Sequence, residues 1–89
     1  MAEYDPNKKY FLAVLIEKNG EQEYSHDVII QAEDETTALI RAEKLAGEWY
    51  DSENEREGDW VMYDIGVAVR VEGVIPITPM EYFERNILH

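Results

Sequence analysis

The chain has 89 residues, with 8 Lys and Arg against 20 Asp and Glu, for a formal net charge of −12. It has no cysteine, which excludes disulfides, zinc–thiolate sites, iron–sulfur clusters and cysteine catalysis. The length suits one domain with one modest core, and the acidic balance argues against holding nucleic acid through its phosphates.

Residues 1–8 are polar and include Asp5-Pro6, the pattern of a disordered lead-in ahead of a single domain over 9–89. The basic start and apolar run of a signal peptide are not found there. The longest apolar run, Tyr10–Ile16, is far short of a bilayer span. A cytoplasmic protein is the expectation.

That apolar run reads as a strand buried on both faces. Asn19-Gly20 follows it and predicts a type I′ hairpin turn, whose two central residues both need positive φ. The partner strand covers Gln22–Ala32, where Tyr24, His26, Val28 and Ile30 alternate with Ser25, Asp27, Ile29 and Gln31. Next comes Glu33-Asp34-Glu35, three acids suited to the positive end of a helix, with Asp34 as N-cap. Ala38, Ala42, Leu45 and Trp49, with Leu39 and Ala46 beside them, recur at helical steps. Arg41, Lys44 and Glu48 fall on the wet side. Gly47 weakens the last turn.

No apolar residue occurs from Asp51 to Asp59, so this stretch reads as a loop. Trp60–Tyr63 starts a third strand that continues over Asp64–Val71, with Gly66 marking a bulge or a split into two. Thr78-Pro79-Met80-Glu81 is a capping box with proline at the first helical position. The helix it opens carries Met80, Phe83 and Ile87 on one stripe.

The order β-β-α-β-α defines a small α+β domain with an antiparallel hairpin and a mixed sheet of three or four strands in the order 2-1-3. The crossover between the second and third strands is right-handed. The first helix is expected over Val14, Ile16, Val28, Ile30, Val67 and Val69. Phe11, Ala13, Leu15, Ile29 and Ala68 then form a second face, to be covered by the C-terminal helix or by a second copy of the chain.

Signals for chemistry are few. Ser25-His26-Asp27 holds the residue types of a hydrolase triad, but alternation along a strand points His26 away from both neighbours. The imidazoles are His26 and His89, and the acids of 51–59 lack calcium-loop spacing. The glycines are scattered and form no phosphate loop. No catalytic residue, cofactor or metal is expected.

Charge is the strongest signal. Residues 48–59 hold six acids (Glu48, Asp51, Glu53, Glu55, Glu57, Asp59) against Arg56, a local balance of −5. If the segment is extended, the acids at 51, 53, 55, 57 and 59 share one side at a repeat of about 6.6 Å. Trp49, Tyr50, Trp60 and Tyr63 border them.

The favoured reading is a non-enzymatic protein that docks on a basic protein surface and leaves nucleic acid and membrane alone. Asp51, Glu53, Glu55, Glu57 and Asp59 supply charge; Trp49, Tyr50 and Trp60 supply anchors. In size, acidity and lack of cysteine the chain resembles phage-encoded anti-restriction and anti-CRISPR inhibitors, in type only. That resemblance implies occupation of a groove meant for nucleic acid and assigns no residue. The alternative is a homodimeric structural or regulatory module whose acidity serves solubility.

Overall fold

The structure, a computed structural model, describes residues 7–87, without the side chains of Phe83, Arg85, Asn86 and Ile87. The proposed lead-in therefore falls mostly outside the described residues. In chain order the elements are β1 (Tyr10–Asn19), β2 (Gln22–Gln31), α1 (Glu35–Gly47), β3 (Asn54–Glu57), β4 (Trp60–Tyr63), β5 (Val67–Pro76) and α2 (Pro79–Ile87). The strands form one sheet in the order β2-β1-β5-β4-β3, and every neighbouring pair is antiparallel. The α+β class stands. Strand count, strand order and the mixed character are corrected: there are five strands among the described residues. β1 lies between β2 and β5, as the order 2-1-3 expects, so the two strands that run the same way are not neighbours and no pair is parallel. The difference in order is that β4 and β3 extend the sheet beyond β5.

The extra strand comes from the stretch read as a loop. Asn54–Glu57 pairs with β4, Glu57 opposite Trp60, across a two-residue turn at Gly58-Asp59. Gly58 has φ 63°, a conformation costly for any residue with a Cβ. A strand whose four residues are all exposed has no buried face, so no hydrophobic alternation marks it. The expected third strand does split. Asp64, Ile65 and Gly66 form a three-residue loop closed by Gly66 N–H to Tyr63 O at 3.1 Å, and β5 then runs on to Pro76 instead of ending at Val71.

The first hairpin also turns one residue later than predicted. Asn19 pairs with Gln22, so Gly20 and Glu21 are the central residues. Gly20 has φ 62°, and among the described residues no non-glycine residue has positive φ. Positive φ at the first central position alone is the glycine-first pattern of a II′ turn, rather than I′.

The register also corrects the predicted faces. A two-residue turn sets odd residues of β1 opposite even residues of β2: Phe11–Ile30, Ala13–Val28, Leu15–His26, Glu17–Tyr24. Opposite residues share a face. The core cluster under α1 therefore gathers Ala13, Leu15, Val61, Tyr63, Val67 and Val69 with Ala42 and Ala46, while Val28 and Ile30 pack at its margin. Phe11 packs with Ala32 and Ala38 beside it. Leu12, Val14 and Ile16 turn to the outer face, where Leu12 and Ile16 are buried and Val14 half-buried. The expected placement of Val14 and Ile16 under the helix is thus reversed.

α1 begins where Asp34 caps it, accepting the Thr37 N–H at 2.7 Å. Its buried residues are Ala38, Ala42 and Ala46, one stripe of small side chains that brings the helix close to the sheet. Leu39, expected near that stripe, is 44% exposed. Trp49 lies beyond the helix, which ends at Gly47. α2 starts as predicted, with the Thr78 hydroxyl accepting the Glu81 N–H at 3.2 Å. Tyr82 is buried and meets Tyr10 with ring centroids 4.8 Å apart, so α2 covers one end of the outer face. Met80, expected to shield the sheet, is 71% exposed. Phe83 and Ile87, the other expected contacts, lie outside the described side chains.

Candidate functional site

Two clusters hold polar side chains in arrangements that local sequence pattern does not produce. The first lies on the helix-covered face. Glu17, the last buried residue of β1, is 6% exposed. Its Oε1 accepts from His26 Nε2 at 2.8 Å, and its Oε2 accepts the Tyr50 hydroxyl. Burial pushes the Glu17 carboxyl up, but the Tyr50 and His26 hydrogen bonds outweigh it and hold the group below its ordinary value. The same bond, with Tyr50 as donor, raises the Tyr50 phenol. The His26 ring leans on Trp49 at 5.1 Å, and Tyr50 meets Tyr63 edge-on at 5.4 Å. Both carboxylate oxygens are thus used within the fold, and Tyr50 and Trp49 are part of what closes it.

Next to this network, β3 and β4 fasten the end of α1. The Tyr63 hydroxyl donates to Ala46 O and accepts the Trp49 N–H at 2.9 Å. Asn54 Nδ2 donates to Gly47 O at 2.9 Å. Arg56 reaches Glu43 twice, at 2.7 Å to the carboxylate and 2.8 Å to the carbonyl. The Asn54 bond satisfies a carbonyl at the end of the helix that has no partner within it, and the others tie the last turns of α1 to β3 and β4. Arg56 is therefore spent on structure, which leaves the neighbouring acids without their local counter-charge.

The second cluster lies on the opposite face, at the β3–β4 corner. Register places Glu57, Trp60, Arg70 and Ile16 in one row across the sheet, and Glu55, Met62, Ala68 and Lys18 in the next. Lys18, Glu57, Trp60, Met62 and Ala68 line a shallow depression of about 310 Å³. The Arg70 guanidinium carbon sits 5.4 Å from the Trp60 ring centroid, within cation–π range. Trp60 is half-buried and Met62 40% exposed. Among the described residues, ion pairs join His26 to Glu17 and Arg56 to Glu43, and neither Glu55 nor Glu57 takes part in one.

The eight residues picked from sequence are thereby divided. Glu55, Glu57 and Trp60 come together on the outer face. Trp49 and Tyr50 face the other side, packed at the margin of the core. Asp51 lies in a bend before β3, Glu53 leads into the strand, and Asp59 sits in the turn after it, all exposed. The row of five carboxylates shortens to the part that is extended. Lys18, Met62, Ala68 and Arg70 were missed because they come from three strands whose register is set by turns. Glu17 was missed because a lone acid ending an apolar strand looks like a strand boundary. The partner of His26 was missed because its chain neighbours Ser25 and Asp27, not Glu17 nine residues away, are what the sequence sets beside it.

Among the described residues no three His, Asp or Glu side chains are grouped to hold a metal, and no helix is long and apolar enough to cross a membrane. Comparison with protein-family models, with curated proteins and with solved structures gives no match.

Proposed function

We propose that this protein is a non-enzymatic binding protein that docks on a basic protein surface through the outer corner of β3 and β4. The observation that carries this reading is the placement of Glu55 and Glu57, without ion partners, beside Trp60 and Met62 on one exposed face. Carboxylates at the rim steer association, and a half-buried tryptophan next to an exposed methionine supplies the apolar contact that holds a partner. The opposite cluster supports a structural role for Glu17 and His26, since their hydrogen bonds are made within the fold. The narrower reading, that the protein occupies a groove built for nucleic acid, draws on the same carboxylates. A homodimeric module built on this sheet face has less behind it, because Leu12, Ile16 and Ala68 are already buried in the single chain.

The test is association kinetics against salt. A partner captured at low salt is isolated, and wild type is compared with a variant carrying Glu53→Gln, Glu55→Gln, Glu57→Gln and Asp59→Asn. Neutralisation should slow association about tenfold at low salt and flatten its salt dependence. Trp60→Ala should act mainly on dissociation, by about 2 kcal/mol, at unchanged melting temperature. Equal association rates for wild type and the neutralised variant at every salt concentration would refute the reading.

A further inference from the structure

The opposite edge of the sheet carries a second surface. β2 is the terminal strand and runs for 10 residues in unbroken register with β1. Its other side has no neighbouring strand among the described residues. Two hydrogen bonds show which backbone groups point there. Ala32 N–H donates inward to Lys9 O at 3.1 Å, whereas Gln31 O accepts from outside, from the Arg41 guanidinium. In an antiparallel ladder these directions alternate along the chain. The N–H and C=O groups of Glu23, Ser25 and Ile29 therefore face outward.

Sheet edges are normally blunted by shortness, bulges, proline or lysine. β3, the other edge, is 4 residues long and charged throughout after Asn54. β2 has none of these devices: it is long, and it contains neither proline nor lysine. Its own charged residues, Glu23 and Asp27, are instead both acidic, and Glu21 stands in the turn before it. Cations gather at its far end, where Arg41 binds Gln31 O beside Lys8 and Lys9. Like charges directly opposed across strands are destabilising, and opposite charges attract. A second copy would bring together two chains of net charge −12 along edges whose own charged residues, Glu23 and Asp27, are negative on both sides. A cationic strand meets the reverse situation.

We infer that the free edge of β2 takes up an extended cationic segment of a partner protein as an added strand. Main-chain hydrogen bonds to Glu23, Ser25 and Ile29 supply the register, and the acids choose the sign of the guest. This surface lies about 19 Å across the sheet from β3, at four strand spacings, so it is separate from the corner proposed above.

The probe is a ten-residue peptide of alternating Lys and Val, compared with the same peptide N-methylated at every second backbone nitrogen and with an alternating Ser/Val peptide. The host variants are Ser25→Pro and Ile29→Pro, since proline is tolerated on an edge strand where the N–H faces solvent. Circular dichroism and melting temperature verify their folds. The Lys/Val peptide should bind wild type, slow amide exchange at Glu23, Ser25 and Ile29, and bind both proline variants at least tenfold more weakly. N-methylation should abolish binding, which keeps the test decisive if a proline variant fails to fold. The Ser/Val peptide should bind at least tenfold more weakly than Lys/Val. Equal affinity for the N-methylated peptide, unchanged affinity in folded proline variants, or a Ser25→Pro-sensitive dimer in sedimentation would overturn the inference. The Glu55→Gln, Glu57→Gln double variant should retain amide protection along β2, so failure at one surface is distinguishable from failure at the other.

Discussion

Glu17 stands at the end of an apolar strand, yet it is buried and its two carboxylate oxygens take hydrogen bonds from His26 and Tyr50. Nothing local foretells this, because Tyr50 is 33 residues away in sequence and arrives only once α1 has docked. With its pKa held below the ordinary value, the folded chain binds fewer protons at Glu17 than the unfolded chain does. The stability this group contributes is therefore complete above the unfolded value of about 4.5 and is lost as pH falls through the lower folded value. Glu17→Gln should remove that component. In chemical denaturation from pH 7 down to pH 3, the gap between wild type and Glu17→Gln should narrow with acidification. A gap that stays constant with pH would show that the Glu17 carboxyl titrates alike in the folded and unfolded chain, against the lowered folded value. At pH 7, Glu17→Ala leaves Tyr50 and His26 without their acceptor and should cost about 1–3 kcal/mol.

At the scale of elements, what the sequence revealed depended on whether an element has a buried side. β1, β2, α1 and the capped start of α2 are legible because apolar periodicity or a capping residue marks them. β3 is not, since all its side chains are exposed and tertiary hydrogen bonds from Asn54 and Arg56 to α1 hold it in place. The faces of β1 were misread for a different reason: an apolar run carries no alternation, so only the turn decides which half of it meets the helix. Gly47 offers a test of how α1 ends. It does not have positive φ, and a Cβ there would meet Arg56 Nη2 at 3.6 Å, an ordinary contact. Gly47→Ala should therefore stabilise the fold by about 0.5–1 kcal/mol, read as a higher denaturant midpoint at unchanged slope. Gly58→Ala should do the opposite, because φ of 63° strains any side chain. A lower midpoint for Gly47→Ala would mean that the Arg56 bridge tolerates no closer neighbour.

For the molecule as a whole, the charge was plain from composition, but where it stays unpaired was not. Arg56, the cation nearest in sequence to Glu55 and Glu57, is turned to the other face and bound to Glu43. These two acids therefore have no ion-pair partner among the described residues, although Lys18 and Arg70 share their face. The molecule's net charge of −12 sets a negative field overall. Such a field has two consequences of opposite sign. Within one chain, excess like charge favours expansion, so a net charge of −12 lowers the stability of the compact state. Toward a basic partner, the same field speeds encounter. Added salt shortens the screening length from about 10 Å at 0.1 M to about 3 Å at 1 M and weakens both effects. Raising salt across that range should therefore raise the melting temperature of the isolated protein while slowing its association with a cationic partner. Neutralising Glu53, Glu55, Glu57 and Asp59 should raise the low-salt melting temperature, reduce its rise with salt, and slow low-salt association in the same variant. Scanning calorimetry and stopped-flow association over one salt series measure both. A melting temperature that falls with salt would show that attractive pairs outweigh repulsion in the fold. Association that is indifferent to salt would leave the carboxylates of the corner without a part in recognition.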